Sequence, residues 1–410
     1  MRPWFVAGLA ACALAGAGPA LAGDPTEPSA APTDHQPRVL HPQHTSGNEP
    51  GTVAGPITAR QRAATTDSGR VSWQIAPGVT YTRWSQTDAR GPIQAHLLTV
   101  DTRTPGVRID YASRGTVRRV APVIDLISPD HAVAGVNGDF YDIGHTGAPL
   151  GLGKDRQRGL LHARQDGWNN AFYIDKHGRP GITDLPMHAR IRHHPAIDVT
   201  NLNSPFVAPG GIGIYTKGWG RTAGYGVTQG QREHVRYLSL LNGVVVKKGT
   251  KLREDKPIPG TLLIGRGAGA DQLKKFKKGQ PLRVAYSLQG DPQMAISGNH
   301  FLVNDGIIRA VDDRELHPRT AVGVDDDTGE VLILVIDGRS SRSRGYTMVE
   351  LANLMIDLGA DEAINLDGGG SSTMVGKGRG GRTKVLNTPS DGFQRWVSNA
   401  LEVTYTKPKS

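Results

Sequence analysis

Three aspartates stand directly after apolar runs of the kind that form buried strands, and they are the residues best suited to acid–base chemistry. They are Asp139 after the run 132–136, Asp337 after 331–336 and Asp367 after 363–366. Carboxyl groups placed together can serve as general acid, general base or nucleophile in a hydrolysis. The first prediction is therefore a carboxylate-based catalytic site built from Asp139, Asp337 and Asp367.

A glycine-rich string follows the last of these aspartates: Gly368, Gly369, Gly370, Ser371 and Ser372. Consecutive glycines let main-chain amides turn towards a ligand without hindrance from a Cβ atom, and two hydroxyls add further donors. Such a nest suits a phosphate. Arg319 and Arg339 belong to neighbouring elements and could hold phosphate oxygens through bidentate hydrogen bonds. A flexible turn is the alternative, but the position between a strand end and two serines favours an anion site.

The elements around two of these aspartates predict how they meet. The run 331–336 is followed by a helix, which begins at a capping box formed by Thr347 and Glu350 and ends at Gly359, and then by the run 363–366. Strand, helix and strand within about forty residues predict a parallel pair with a right-handed crossover. The carboxyl ends of parallel strands share one edge of the sheet, so we expect Asp337 and Asp367 to face one crevice. The direction of the strand before Asp139 is not fixed by this reasoning.

Short strands and many glycines predict the rest of the fold. The chain contains 53 glycines among 410 residues, which favours tight turns and a β-rich chain. The predicted fold class is α+β: a β-rich mixed sheet with a parallel strand–helix–strand unit near the C-terminus. Residues 197–290 read as a β-rich middle segment, and the sequence leaves open that they are inserted in the main fold.

The N-terminal residues predict export. Residues 1–22 have the layout of a signal peptide, residues 23–70 that of a disordered linker, and residues 71–406 that of the folded domain. A minor alternative is a lipoprotein anchored through Cys12, the only cysteine of the chain. Cleavage after Ala22 would exclude disulfides, thiolate catalysis and cysteine–zinc sites. We expect a secreted protein without a membrane span.

Charge and composition bear on partners and cofactors. The formal net charge of +10 suits an acidic partner, such as an anionic surface glycopolymer or a sugar-phosphate diester. Few aromatics and no recognition motif argue against nucleic acid. No cofactor is predicted, and a divalent metal ion stays open.

Other polar clusters favour structural readings. Residues 325–327 are acidic but lack the spacing of a calcium loop, and His193 and His194 have no third metal ligand at a diagnostic distance. His145 and His317 flank the motifs and could carry protons or be polar loop residues. A G-x-S-x-G elbow and an H-E-x-x-H pair are both absent, which weakens esterase and metalloprotease readings.

Several strings together resemble the phosphodiester glycosidase family. They are 317–323 (HPRTAVG), 337–339 (DGR), 365–374 (NLDGGGSSTM), 136–141 (VNGDFY) and the closing 395–400 (RWVSNA). The resemblance runs from about Val71 to Thr406 and assigns Asn137 to the site. Many relatives carry glycine where this chain has Asp139.

The resemblance implies hydrolysis of an α-glycosidic bond to phosphate in a sugar-1-phosphodiester such as a GlcNAc-1-phosphodiester. In that reading the glycine nest and arginines hold the phosphate, while Asp337 and Asp367 share the acid–base work. Two alternatives stay open: a phosphodiesterase that cleaves the P–O bond with a metal ion, and a non-catalytic module that binds anionic wall polymer.

Overall fold

The structure, a computed structural model, describes residues 45–408. The predicted signal peptide and residues 23–44 of the predicted linker lie outside the described residues. Four helices occur in the described part: α1 (Ala59–Ala63), α2 (Val123–Ile127), α3 (Ala268–Lys274) and α4 (Met348–Asp357). No helix among residues 45–408 has the length and apolar character needed to cross a membrane.

Strands make up most of the ordered elements. The first ten are β1 (Thr52–Val53), β2 (Thr66–Ala76), β3 (Val79–Asp88), β4 (Gly91–Asp101), β5 (Val107–Ala112), β6 (Ala134–Asn137), β7 (Gly153–Asp155), β8 (Gly159–Arg164), β9 (Asn170–Ile174) and β10 (Pro180–Asp184). The next nine are β11 (Met187–Ile191), β12 (Asn201–Leu202), β13 (Ile212–Tyr215), β14 (Arg221–Ala223), β15 (Val235–Leu241), β16 (Val244–Gly249), β17 (Glu254–Pro257), β18 (Thr261–Arg266) and β19 (Val284–Leu288). The last ten are β20 (Met294–Ser297), β21 (His300–Asn304), β22 (Ile307–Ile308), β23 (Glu315–Leu316), β24 (Arg319–Asp325), β25 (Glu330–Ile336), β26 (Glu362–Asn365), β27 (Met374–Lys377), β28 (Thr383–Val385) and β29 (Ala400–Tyr405).

An eight-stranded sheet carries two of the three aspartates. Its order is β2-β3-β4-β25-β24-β26-β21-β22, and all its neighbouring strands are antiparallel. β25 lies inside this sheet, and its alternate residues enter two different buried clusters, one on each face. Burial on both faces explains why its sequence is apolar without interruption.

The predicted fold class was wrong, because residues 45–408 contain no parallel strand–helix–strand unit. β25 pairs with β4 on one side and with β24 on the other, so it has no free edge for β26. β26 pairs with the opposite edge of β24, again antiparallel. β25 and β26 therefore run in the same direction without touching as a pair, and Asp337 and Asp367 both leave the sheet at the same end.

The predicted helix is present and begins at the predicted capping box. The hydroxyl of Thr347 accepts a hydrogen bond from the amide of Glu350 at 3.2 Å, and the carboxylate of Glu350 accepts from the amide of Thr347 at 3.0 Å. The helix ends before Gly359, which has φ +100. Its buried Leu351 and Met355 belong to the apolar cluster on one face of the eight-stranded sheet.

A five-stranded antiparallel sheet, ordered β28-β27-β6-β29-β5, carries the third aspartate. Val136 of β6 and Leu401 of β29 share a buried cluster with Val322 and Ile364 of the eight-stranded sheet. This shared core brings the end of β6 against β24 and β26.

A ten-stranded sheet, ordered β10-β9-β20-β7-β8-β12-β13-β18-β15-β16, completes the main architecture. β12, β13, β15, β16 and β18 come from residues 197–290, and β11 pairs with β19 near the two ends of that segment. A tight hairpin turn of the type that an Asn-Gly pair favours joins β15 to β16, with Asn242 and Gly243 at φ +50 and +74. The domain boundaries, including the inserted nature of residues 197–290, stay a prediction.

Candidate active site

Asn137, the last residue of β6, links the two sheets at the candidate site. Its side-chain amide donates to the main-chain oxygen of Asp367 at 2.6 Å. Its side-chain oxygen accepts from the hydroxyl of Thr320 at 2.9 Å and from the amide of Thr373 at 3.0 Å. Since Asn137 is fully buried, these bonds fix the ends of β6, β24 and β26 against one another. The side-chain amide and oxygen of Asn137 are thus hydrogen-bonded to other residues of the protein.

Asp139 reaches the same place through the turn after β6. Its amide donates to the side-chain oxygen of Asn399 at 2.8 Å, and one carboxylate oxygen accepts from the amide of Gly151 at 2.8 Å. The other oxygen makes no hydrogen bond of standard geometry with a described residue. Burial raises the pKa of Asp139 well above its ordinary range, and the charge of Asp367 raises it further, against the bonds from Gly151 and Ser297. Asp139 is therefore disposed to keep a proton.

Asp367 follows β26 and is 1% exposed. Its amide donates to the main-chain oxygen of Gly138 at 3.0 Å, which holds it beside the Asp139 turn. Neither carboxylate oxygen makes a hydrogen bond of standard geometry with a described residue. Burial raises the pKa of Asp367 to about 7, although the nearby hydroxyls of Ser371 and Ser46 lower it. This carboxyl group is buried, poorly solvated and close to its titration point at neutral pH, as a proton-transfer group requires.

Asp337 is also buried, but its carboxylate is fully engaged. It accepts from His96 at 3.2 Å, from the side-chain amide of Asn387 at 3.0 Å and from the amide of Thr388 at 3.1 Å. Asn387 also donates to the main-chain oxygen of Ser372 at 3.1 Å. Asp337 thus holds residues 387–388 at the end of the glycine string. Both of its carboxylate oxygens already accept hydrogen bonds from the protein.

The glycine string forms a tight turn rather than an open row of amides. The amide of Gly369 donates to the oxygen of Pro318 at 2.9 Å, and those of Ser371 and Ser372 donate to Gly368 and Gly369 at 3.1 and 3.2 Å. The hydroxyls of Ser371 and Ser372 are buried and make no hydrogen bond of standard geometry with described residues. The donors that this turn offers a ligand therefore include two hydroxyls, whereas these three amides are satisfied by the chain.

Two guanidinium groups lie against the triple glycine. A Cβ atom on Gly370 would stand 2.0 Å from Nη2 of Arg395, and one on Gly369 would stand 3.3 Å from Nη2 of Arg339. Arg339 and Arg395 each donate to one oxygen of Glu49, at 2.6 Å in both cases. We call Arg339 and Arg395 the arginine clamp. The absence of side chains on Gly369 and Gly370 is what lets the clamp approach the turn, and the clamp already holds a carboxylate.

Arg319, which was predicted to hold phosphate oxygens together with Arg339, makes its hydrogen bonds elsewhere. It is buried, and it donates to the main-chain oxygens of Tyr346 at 2.9 Å and Glu315 at 3.0 Å. Burial lowers the pKa of Arg319 to about 10, and nearby acidic groups oppose this effect. Its hydrogen bonds join β23 to the loop before α4.

The segment 45–53 covers this region. Ser46 donates from its amide to the oxygen of Tyr141 at 3.0 Å and accepts from the amide of Tyr141 at 3.1 Å. β1 pairs with β23, just before the start of β24. Burial raises the pKa of Glu49, but the two guanidinium groups outweigh it and lower that pKa below its ordinary value. The segment thus delivers one hydroxyl and one carboxylate to the candidate site.

The two histidines that the sequence offered as proton carriers or as polar loop residues each contact a carboxylate. His145 lies 2.9 Å from a carboxylate oxygen of Asp142, and His317 lies 3.2 Å from one of Glu315. Burial lowers the pKa of His317. Each histidine thus contacts a carboxylate within its own stretch of chain, three residues away for His145 and two for His317.

Sequence reasoning missed several residues that the fold brings in. Ser46 and Glu49 fall in a stretch without strand or helix periodicity, so no local signal identifies them. Arg395 and Asn399 belong to the closing string that carried the family resemblance, and that was the one available signal. Among residues 45–408, no group of three or more His, Cys, Asp or Glu side chains could hold a metal ion.

Residues 222–404 match the model of the phosphodiester glycosidase family. The resemblance indicated by the sequence strings is confirmed by this match. The matched residues 222–404 contain Asp337, Asp367 and both members of the arginine clamp, while Asn137 and Asp139 precede them.

Two curated relatives align with parts of the chain. YomE, an uncharacterized SPbeta prophage-derived protein of Bacillus subtilis strain 168, is 40% identical over 89 residues, covering 22% of this chain and 13% of YomE. The N-acetylglucosamine-1-phosphodiester alpha-N-acetylglucosaminidase of Bos taurus is 43% identical over 76 residues, covering 18% of this chain and 13% of the bovine protein. Both alignments are thus short relative to the relatives' length. The matched family is described as phosphodiester glycosidase, and the name of the bovine relative gives an N-acetylglucosamine-1-phosphodiester as that protein's substrate.

A solved structure shares the fold over most of the chain. A candidate exported protein of Burkholderia pseudomallei K96243 superposes with a TM-score of 0.67 at 18% identity, covering 87% of this chain and 100% of that one. At this identity the likeness concerns the fold alone.

Proposed function

We propose that this protein hydrolyses the α-glycosidic bond of a sugar-1-phosphodiester, with GlcNAc-1-phosphodiesters as the first candidates. The observation that carries the proposal is the pairing of two buried carboxyl groups of raised pKa, Asp139 and Asp367, with an arginine clamp that holds an anion. Phosphodiester glycosidase chemistry needs both parts: acid–base groups at the sugar carbon and positive charge at the departing phosphate.

The two carboxyl groups divide the work by their environments. Burial raises the pKa of Asp139 well above its ordinary range, so Asp139 is assigned as the acid that gives its proton to the departing oxygen. Asp367, with a pKa of about 7, is the group that becomes an anion near neutral pH and activates water or attacks the anomeric carbon. The arginine clamp and the hydroxyls of Ser371 and Ser372 offset the phosphate charge. Asp337 holds residues 387–388 in position.

Three features support a polymeric or conjugated substrate outside the cell. Phe393 and Trp396 are 65% and 60% exposed and flank Arg395 in sequence. Exposed aromatic rings beside a binding site commonly mark a further contact surface for the ligand. Together with the net charge of +10 and the predicted signal peptide, they support an exported enzyme acting on a surface polymer or glycoconjugate.

Hydrolysis in ¹⁸O-labelled water tests the bond that is cleaved. Purified protein is incubated with UDP-GlcNAc and with GlcNAc-1-phospho-glycerol, and the products are analysed by mass. Label in the sugar supports glycosidic cleavage, and label in the phosphate supports the phosphodiesterase alternative. Chelator treatment of the same samples tests the open question of a divalent metal ion. Absence of any product, with retained affinity of both wild type and Asp367→Asn for a phosphodiester polymer, would favour the binding-module alternative.

The pH dependence of kcat/KM is expected to have an acidic limb. The pKa of Asp367 is raised from 3.8 to about 7, so the reactive anion is lost as the pH falls through about 7. The substrate phosphodiester stays ionised throughout, so its titration does not contribute. Rates measured between about pH 5 and pH 9 should fall on the acidic side with a midpoint near 7. A rate that instead rises as the pH falls through this range would assign Asp367 the role of acid.

Glu49→Gln is expected to raise activity. Glu49 binds both members of the arginine clamp, so it competes with a phosphate for the same donors. Removing its charge should raise kcat/KM by about tenfold, equivalent to about 1.4 kcal/mol. The matched control is Glu233→Gln, an exposed glutamate in a loop before β15. Unchanged or lower activity of Glu49→Gln, with unchanged inhibition by inorganic phosphate, would contradict a competing role for Glu49.

A further inference from the structure

A pocket in the middle segment shares no lining residue with the candidate active site. Its volume is about 660 Å³, within the usual range of small-molecule sites. It is lined by residues of β15, β16 and β18 and by residues of the two-stranded arm that β14 and β17 form. We call it the middle pocket.

The inner wall of the middle pocket is apolar. It is lined by aromatic and aliphatic side chains that include Tyr215, Trp219, Val227, Ile258, Leu262 and Ile264. Tyr215 and Trp219 are each 1% exposed and pack edge to face. A wall of this kind binds hydrocarbon and offers few hydrogen bonds to a hydrophilic ligand.

The rim of the middle pocket is cationic. Lys247, Lys251, Arg253 and Lys256 line it and are exposed, and no aspartate or glutamate is among the lining residues. None of these four cations forms an ion pair with another residue in the described part of the chain. The nearby Asp255 is engaged by Arg221. The four unpaired positive charges favour an anionic group, and the apolar cavity favours a hydrocarbon group. A ligand that carries both groups therefore matches the middle pocket best.

We propose that the middle pocket binds a single-chain amphiphile with a phosphate head group. The hydrocarbon chain occupies the apolar interior, since transfer of apolar surface out of water drives its burial. The phosphate lies at the rim, where its charge of about −1.5 to −2 and its three acceptor oxygens match several lysines and an arginine. A sugar-phosphate polymer would leave the apolar wall uncovered, and a neutral lipid would leave the cations unpartnered.

Binding of three probes tests the proposal independently of catalysis. Calorimetric titrations use dodecyl phosphate below its micelle concentration, dodecyl maltoside with the same chain and no charge, and glycerol phosphate with the same anion and no chain. We expect dodecyl phosphate to bind roughly tenfold or more tightly than either of the others. Equal binding of the maltoside, or equal binding of glycerol phosphate, would overturn the proposal, and the latter result would assign the rim to a hydrophilic anion.

Variants locate the site. Lys251→Glu with Arg253→Glu should weaken dodecyl phosphate by roughly tenfold, because the head group then meets repulsion. Lys277→Glu with Lys278→Glu reverses the same number of charges on an exposed loop and should change nothing. Val246→Trp narrows the cavity from β16 and should weaken the binding of the chain, with thermal unfolding confirming that the variant is folded. Equal losses in both charge-reversal variants, or full binding by folded Val246→Trp, would overturn the assignment to the middle pocket.

Discussion

Asp367→Asn is expected to lower kcat by roughly 10²–10⁴-fold while leaving the fold intact. The amide has nearly the same shape as the carboxyl group, so the turn after β26 and its bond to Gly138 can persist. It cannot become an anion, however, and it cannot activate water or attack the sugar. Asp139→Asn should also lose activity, because the amide cannot give a proton to the departing oxygen. The measurement is turnover of a GlcNAc-1-phosphodiester at pH 8, alongside thermal unfolding.

The pH dependence of thermal unfolding gives a second measurement of the state of Asp367. The pKa of Asp367 is raised from 3.8 to about 7 in the folded protein, so folding favours the protonated carboxyl group. Its contribution to stability is present below about pH 4 and is lost as the pH rises through about 7. Asparagine carries no such dependence, so the variant should unfold at the same or a higher temperature than wild type above pH 7. Active-site groups often lower stability in this way.

Two other substitutions separate catalysis from structure. Asp327→Asn changes an exposed carboxylate in the hairpin between β24 and β25 and should leave turnover unchanged. Asp337→Ala should lower the unfolding temperature, because His96, Asn387 and Thr388 would lose their buried acceptor. Full turnover by Asp367→Asn, or loss of turnover only through unfolding, would exclude a catalytic role for Asp367.

Substitution of either member of the arginine clamp is expected to cause a second large loss of kcat/KM. Arg339→Ala and Arg395→Ala should each lower kcat/KM for a phosphodiester by roughly 10²–10³-fold, the usual effect of losing a donor to developing negative charge. Both guanidinium groups lie against Gly369 and Gly370, and both already bind the carboxylate of Glu49. An anion bound there by two arginines is held by charge-assisted hydrogen bonds, which are stronger than neutral ones.

A substrate without a phosphate distinguishes two roles for Arg339 and Arg395: binding the phosphate, and positioning the glycine turn. An aryl α-N-acetylglucosaminide has a leaving group without a phosphate, so its low rate should be the same in wild type and both variants. Arg192→Ala, on an exposed turn after β11, serves as the matched control. Equal losses on the aryl glycoside and on the phosphodiester would mean that the arginines position the turn rather than the phosphate.

Local features of this fold were readable from the sequence because neighbouring residues decide them. The capping box of Thr347 and Glu350 needs only residues three apart, and the helix forms where they predict it. The uninterrupted apolar run of β25 predicted a buried strand, and both faces of that strand are covered. The turn at Asn242 and Gly243 follows from residues that tolerate positive φ.

Strand pairing was not readable, and the parallel unit was wrong for that reason. The sequence order of β25, α4 and β26 fixes their succession, but it does not say which strand fills each edge. The hairpin partner β24 and the distant β4 occupy both edges of β25. Pairing depends on contacts between residues more than two hundred positions apart, such as Leu98 with Ile333. Such contacts leave no local pattern.

The sequence alone determined which groups could react: three aspartates after buried strands, and a glycine string whose flexible main chain permits close approach. Only the tertiary structure decided how these groups differ. Asp337 is bound by donors from distant loops, whereas Asp139 and Asp367 are buried with unfilled acceptors, so their pKa values rise. It also placed Arg395 and Glu49, which lie far from one another in the chain, at the same turn. Residue type and strand endings are local properties, but burial and hydrogen-bond partners depend on which distant segments pack together.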